Sequence, residues 1–131
     1  MMHLRQPIQL PKGQPLRALI HARFSTEEQR QSSIDDQVAA CRAFLEANLP
    51  KGWKPQQVEI DVITEPEVSG EIADRPGINQ VWAGIEAKRW HLIIAEESSR
   101  LYRHHTKAGE LFESAVDADV RVICTSDYID T

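Results

Sequence analysis

Hydrophobic residues follow two different spacings along the chain, one typical of buried strands and the other of amphipathic helices. Four short apolar segments have the length and composition of strands in a sheet: residues 16–22, 57–63, 90–96 and 120–125. Three segments between them place apolar residues three or four positions apart, as a helix does: residues 34–45, 78–85 and 108–116. Strands that alternate with helices are joined by right-handed crossovers. The pattern therefore predicts an α/β fold with three α/β/α layers and a mainly parallel sheet of at least four strands.

The chain divides into a short leader and one domain. Residues 1–15 contain three prolines and one glycine, which predicts a loosely ordered leader, and the regular pattern that follows predicts a domain over residues 16–131. No apolar run approaches the roughly 18 residues that span a bilayer, and the amino terminus lacks a secretory signal. We therefore expect a cytoplasmic protein with no membrane partner. Cys41 and Cys124 lie in apolar patterns outside any CxxC cluster, which predicts reduced, buried thiols.

The charge is unevenly distributed. A formal net charge of -5 argues against tight binding to DNA by electrostatics alone, because that affinity comes from lysine and arginine. Residues 1–26 and 98–109, however, contain basic residues and no acid. Each of these cationic segments is either a solvated surface or part of an anion site.

Serines and arginines follow three of the predicted strands at the point where each strand ends. They are Arg23 and Ser25 after the first strand, Ser69 and Arg75 after the second, and Arg100 and Arg103 after the third. Because ligand sites in open parallel sheets lie beyond the carboxyl ends of the strands, we expect these side chains at one edge. A serine after a strand is also a common helix cap, so this placement alone does not make Ser25 a nucleophile.

Several guanidinium groups around a hydroxyl suit phosphoryl transfer. Arginine stays charged and donates bidentately to phosphate, and the transition state spreads negative charge over oxygens that need such donors. The sequence has no GxSxG elbow, no GxxxxGKS loop and no GxGxxG fingerprint, which argues against an esterase or an ordinary nucleotide site. A metal-dependent nuclease remains open, because acids lie near the same edge: Glu65, Glu67, Glu71, Asp74, Glu96 and Glu97.

Four separated segments carry a resemblance to a known family: ARFSTEEQ, SIDDQ, VSGEIADRPG and SSRLYR, in this order. Together they resemble the N-terminal catalytic domain of the serine site-specific recombinases, the resolvase and invertase family that includes the large serine integrases. The resemblance runs from about Leu16 to Ile129. It implies a resolvase-like catalytic domain that cleaves and rejoins DNA through a 5′-phosphoserine intermediate, without metal, ATP or any other cofactor.

The resemblance also implies roles for individual residues. Ser25 matches the family's nucleophile. The arginines that contact the scissile phosphate are matched by Arg23, Arg75, Arg100 and Arg103. Three polar residues match positions that support the site: Gln37, Ser69 and Gln29.

The sequence departs from the family pattern in three places. The arginine pair is usually preceded by aspartate, and Ser99 stands there instead, so Glu96 or Glu97 would have to supply the carboxylate. His21 stands where the family usually has tyrosine, and we interpret it as a strand-packing residue. The family's dimerisation helix and DNA-binding region have no counterpart in this sequence. The implied partners, double-stranded DNA and further subunits in a dimer or tetramer, would be bound through that region, and the present chain alone is not expected to recombine DNA.

Two alternatives remain open at this stage. Ser99 and the missing region also fit a catalytically decayed or regulatory module that uses the same fold for protein association. The loop acids fit a metal-dependent nuclease, whose activity a chelator would remove.

Overall fold

The structure is a computed structural model that describes residues 2–24, 30–66 and 75–131, with only the backbone at residues 30–32. The strands of the described chain are β1 (Leu16–Phe24), β2 (Val58–Pro66), β3 (Leu92–Ala95), β4 (Arg121–Cys124) and β5 (Ile129–Asp130). The helices are α1 (Arg30–Asn48), α2 (Pro76–Glu86), α3 (Ser98–Leu101) and α4 (His105–Asp117), with a short 3-10 turn at Pro55–Gln57. All four predicted strands and all three predicted helices are present. The sequence pattern did not predict α3 or β5, because four and two residues are too short to show a period.

The strands of the described chain form one five-stranded sheet in the order β2-β1-β3-β4-β5. The first four strands of that order are parallel, and β5 pairs antiparallel with β4. The predicted α/β class and mainly parallel sheet are therefore confirmed. The chain leaves β1 toward β2 on one side and reaches β3 on the other, so the crevice between β1 and β3 is the topological switch point where such sheets bind ligands.

The two faces of the sheet are covered by different helices. On one face, Cys41 and Leu45 of α1 pack in a cluster with Ala18 and Ile20 of β1. The other face carries a second cluster, formed by Leu19 and by residues of α2 and α4: Ile78, Val81, Ile85, Leu111 and Ala115. Alternate residues of β1 thus enter opposite cores, as the pleat of a strand requires. The result is the predicted three-layer arrangement.

Helix α2 is fixed at both ends by local features. Pro76 is its first residue, where the missing N–H costs nothing and the fixed φ suits the helix. Near its other end, Gly84 lies against the indole ring of Trp90, and a Cβ atom there would come 2.0 Å from the ring. The close approach of helix and indole therefore requires glycine at this position.

The described part of the leader, residues 2–15, contains no helix or strand. Met2 and Ile8 are nevertheless buried in the cluster that α1 forms with β1. The guanidinium of Arg121 donates to the carbonyl oxygens of Gln6, at 2.7 Å, and of Pro7, at 3.2 Å.

The two cysteines, Cys41 and Cys124, are buried free thiols, and burial raises the pKa of each to about 12.

Candidate active site

Arg23 lies near the carboxyl end of β1 and is 6% exposed. Its backbone is held by Gln37 of α1, which accepts from the Arg23 N–H at 3.0 Å through Oε1 and donates to the Arg23 carbonyl at 2.6 Å through Nε2. Gln37 also donates to the hydroxyl of Ser33 at 3.0 Å. Gln37 thus ties the end of the strand to α1 and fixes the direction in which Arg23 leaves it.

The guanidinium of Arg23 reaches across the switch point to the segment after β3. Its Nη1 donates to the carbonyl of Ser99 in α3 at 3.0 Å. Arg75, which immediately precedes α2, reaches the same segment, because its Nη1 donates to the carbonyl of Leu101 at 2.7 Å. Its guanidinium lies 5.2 Å from the ring centre of Tyr102, a cation–π contact. Both arginines are therefore anchored on α3 and the residue after it.

Glu65 of β2 is the carboxylate at the centre of this arrangement, and it is 3% exposed. Its Oε1 accepts from His21 Nε2 at 2.8 Å and from Arg75 Nη2, and its Oε2 accepts from the backbone N–H of Ile78 at 3.2 Å. Burial raises its pKa, but the hydrogen bonds and charges of His21 and Arg75 outweigh burial and hold the pKa below its ordinary value. Glu65 is therefore a buried, ionised partner of Arg75.

Sequence reasoning placed Glu65 only among the loop acids of a possible metal site. The structure places it within β2, opposite Arg23 in the parallel register of β1 and β2. The sequence did contain a signal for this placement. Glu65 lies two residues after Ile63, so the two side chains share one face of the strand. On that face Ile63 packs against the cluster that contains residues of α2 and α4. A carboxylate on an inward-facing strand position needs a buried partner.

Two further arginines come from the segment after β3. Arg100 in α3 is partly buried, and its Nη2 lies 3.9 Å from Glu96 Oε1. Arg103 is exposed and lies between α3 and α4. The pKa of Arg23 is lowered by burial first and then by the positive charges of Arg75, Arg103 and Arg100, against the opposing effect of Glu65. The structure thus brings Arg23, Arg75 and Arg100 together at α3, and Arg103 follows that helix by two residues.

Ser99, the residue that departs from the family pattern, makes contacts through both its side chain and its main chain. Ser99 Oγ donates to Glu97 Oε2 at 3.0 Å, while its backbone carbonyl accepts from Arg23. The preceding residue, Ser98, donates through both its N–H and its hydroxyl to the carboxylate of Asp127. Near α3, Glu65 holds Arg75 at hydrogen-bond distance, while Glu96 stands at 3.9 Å from Arg100.

Three residues predicted for the site lie outside the described residues: Ser25, Gln29 and Ser69. Ser25 follows Phe24, the last residue of β1, and is two positions from Arg23. Across the ranges that the structure does describe, no three histidine, cysteine or acidic side chains are grouped so that they could hold a metal ion. In the same ranges, no helix is long and apolar enough to cross a bilayer.

Comparisons with known proteins bear on the family and the fold. Residues 18–131 match the family model of the resolvase N-terminal domain. No curated protein matches the chain significantly. A similar solved structure is the N-terminal catalytic domain of TP901-1 integrase, with a TM-score of 0.68 and 26% identity over 88% of this chain and 81% of that one.

Two other solved structures are similar to the chain at lower identity. A resolvase family site-specific recombinase from Streptococcus pneumoniae has a TM-score of 0.67 and 22% identity, covering 88% of this chain and 76% of that one. The C-terminal catalytic domain of ISC1926 TnpA, an IS607-like serine recombinase, has a TM-score of 0.66 and 22% identity, covering 84% and 67%.

The fold and the matched family define the class of this protein. The chain belongs to the resolvase family, and its fold is that of the catalytic domains of serine recombinases, which are DNA-cleaving enzymes. The predicted resolvase-like fold and the predicted family are confirmed.

Proposed function

We propose that this chain is the catalytic domain of a site-specific recombinase in which Ser25 attacks DNA. The observation that carries the proposal is that Arg23 and Arg75 both donate to α3, the helix that contains Arg100, beside the end of the strand that leads into Ser25. Burial lowers the pKa of Arg23 most, and repulsion from the positive charges of Arg75, Arg103 and Arg100 lowers it further. An anion bound among them would relieve that repulsion, and a phosphodiester is the anion that the family acts on.

The proposed reaction has two mirrored steps. Ser25 Oγ loses its proton as it attacks the phosphorus atom of the DNA backbone. The bond from phosphorus to the 3′ oxygen breaks, and that oxygen takes up a proton and leaves as a 3′ hydroxyl. The 5′ phosphate stays on Ser25 as a phosphodiester. A 3′ hydroxyl from another strand then attacks this phosphorus and releases the serine. One phosphodiester is exchanged for another of similar energy, so neither ATP nor a metal cofactor is required.

The arginines would stabilise the charge that develops on the phosphate. The guanidinium Nε atoms of Arg75 and Arg100 are buried and have no hydrogen-bond partner within the described chain. Charge-assisted hydrogen bonds from arginine to phosphate are stronger than neutral ones, and one such donor contributes about 3 kcal/mol to a transition state. The hydrogen bond from Arg75 to the Leu101 carbonyl keeps the Arg75 guanidinium in place before DNA arrives.

In this scheme, DNA affinity resides mainly in a part of the protein other than this domain. The net charge of the chain is -5, which opposes general binding to the phosphate backbone, while the arginine cluster attracts phosphate locally. Double-stranded DNA would therefore be held by an additional DNA-binding region, and subunits would assemble as a dimer or tetramer on it.

The decisive experiment traps the covalent intermediate. The native protein is incubated with a pool of duplex DNAs that carry 3′-bridging phosphorothiolate linkages, whose 3′ thiol leaves readily and rejoins poorly. We expect a protein–DNA adduct that mass spectrometry maps to Ser25, formed equally well with a chelator present. Ser25→Ala should abolish it, whereas Ser126→Ala, an exposed serine beyond β4, should not. An undiminished adduct in Ser25→Ala would refute the proposal.

A further inference from the structure

His21 has an environment that packing alone does not explain. It is fully buried in β1, with 0% exposure. Its Nε2 lies 2.8 Å from Glu65 Oε1, while its Nδ1 is buried and has no hydrogen-bond partner among the described residues. A buried polar group without a partner costs free energy, and an apolar side chain of similar size would avoid that cost. The contact with Glu65 is therefore what the imidazole provides at this position.

We propose that His21 is a positioning residue for the phosphate site, acting through Glu65 on Arg75. This inference rests on the proposed function, since it assigns the imidazole a role in aligning an arginine that contacts the scissile phosphate. His21 itself touches neither the DNA nor the nucleophile in this scheme.

The carboxylate of Glu65 is fixed by donors from different elements. His21 donates from β1, Arg75 donates from the start of α2, and the backbone N–H of Ile78 donates from within α2. Gly77 lies directly against this carboxylate, since a Cβ atom at that position would come 2.7 Å from Glu65 Oε2. Removing the His21 donor would leave Oε1 with Arg75 alone and allow the carboxylate to turn.

The alignment of Arg75 depends on where that carboxylate stands. The guanidinium of Arg75 donates to Glu65 on one side. On the other side it donates to the carbonyls of Leu101, at 2.7 Å, and Arg100, at 3.4 Å. If the carboxylate turned, Arg75 would either move with it away from α3 or lose its contact with Glu65. A shift of about 1 Å in a positioned catalytic group can lower a rate by about 100-fold. The buried chain from His21 through Glu65 therefore fixes a group at the site without touching substrate.

Two substitutions separate positioning from packing. His21→Gln keeps an N–H that can donate to Glu65, whereas His21→Leu fills the space with an apolar side chain. In single-turnover cleavage of the phosphorothiolate DNA, we expect His21→Leu to be about 10- to 100-fold slower and His21→Gln to stay within about threefold of the native protein, with equal DNA affinity. A packing role predicts the reverse order, with leucine the better tolerated residue.

A double-mutant comparison tests the route through Glu65. Once Glu65 is replaced in Glu65→Ala, adding His21→Leu should slow cleavage no further, because the two residues act through one path. Independent, multiplicative losses would show that His21 acts in some other way and would overturn the proposal.

A readout without DNA separates this inference from the proposed function. The Nε–H signal of Arg75 in ¹H–¹⁵N spectra, assigned by its loss in Arg75→Lys, should shift or broaden in His21→Leu and return in His21→Gln. If no Ser25 adduct forms in the native protein, the proposed function fails while this signal still tests the positioning. If the signal and the cleavage rate are both unchanged in His21→Leu, the positioning role is wrong.

Discussion

At the scale of single residues, Glu65 connects β1, Arg75 and α2 through one carboxylate. It is a buried carboxylate held by an imidazole, a guanidinium and a backbone N–H, and its pKa lies below the ordinary value. Burying an ion is costly, so removing one member of such a set leaves the remaining charge without compensation. In this protein that remaining charge is Arg75, which already lies near other arginines.

Glu65→Gln should therefore destabilise the fold in a pH-dependent way. The folded-state pKa of Glu65 is depressed, so its contribution is fully present above the unfolded value of about 4.3 and is lost as pH falls through the folded value. We expect a loss of about 3 kcal/mol at pH 7 that shrinks below about pH 4. Urea unfolding at both pH values measures it. Glu59→Gln, on an exposed position of the same strand, should change stability by less than about 0.5 kcal/mol at either pH.

Ser99 is the second informative residue, because its main chain and not its side chain contacts Arg23. Glu65 supplies the carboxylate for Arg75, and the Ser99 hydroxyl is engaged with Glu97. We expect Ser99→Asp to change the cleavage rate by less than about tenfold, which is about 1.4 kcal/mol. Single-turnover cleavage measures it. A large gain from near-zero cleavage would instead identify the domain as catalytically decayed, the alternative that Ser99 raised.

At the scale of elements, close packing of α2 on the sheet positions Arg75. Arg75 immediately precedes α2, so any displacement of this helix moves the guanidinium relative to α3. The helix packs through Ile78, Val81 and Ile85, and through the contact of Gly84 with Trp90. The Trp90 indole in turn donates to Asp61 of β2 at 2.8 Å, which joins α2 to the strand that carries Glu65.

Gly84→Ala should destabilise the protein by about 1–3 kcal/mol, because the added Cβ would come 2.0 Å from the Trp90 ring in a packed core. Gly109→Ala is the matched control. Gly109 lies in α4, and a Cβ atom there meets nothing within 4 Å, so alanine should stabilise that helix by about 0.5–1 kcal/mol. Thermal or urea unfolding of both variants measures the contrast. Equal effects of the two substitutions would contradict the packing described for α2.

At the scale of the whole molecule, strand order explains why distant segments meet. β1 lies between β2 and β3, so the carboxyl end of β1 is flanked by Glu65 on one side and by the residues that follow β3 on the other. Helices α1 and α2 cover opposite faces. Gln37 of α1 holds the backbone of Arg23, and Arg75, the residue before α2, donates to the carbonyl of Leu101. The net charge of the chain is negative, but this edge of the sheet concentrates arginine.

The sequence by itself determined the alternation of strands and helices, the parallel sheet and the resolvase family, because periodicity and motifs are local properties. Only the tertiary structure decided that Glu65 partners Arg75 and that His21 contacts Glu65. Those contacts join residues 10 and 44 positions apart, and they depend on the register of β1 against β2 and on the direction of each side chain. Pairing across that distance is set by packing, since a buried charge is tolerated only where the fold brings its partner within hydrogen-bond reach.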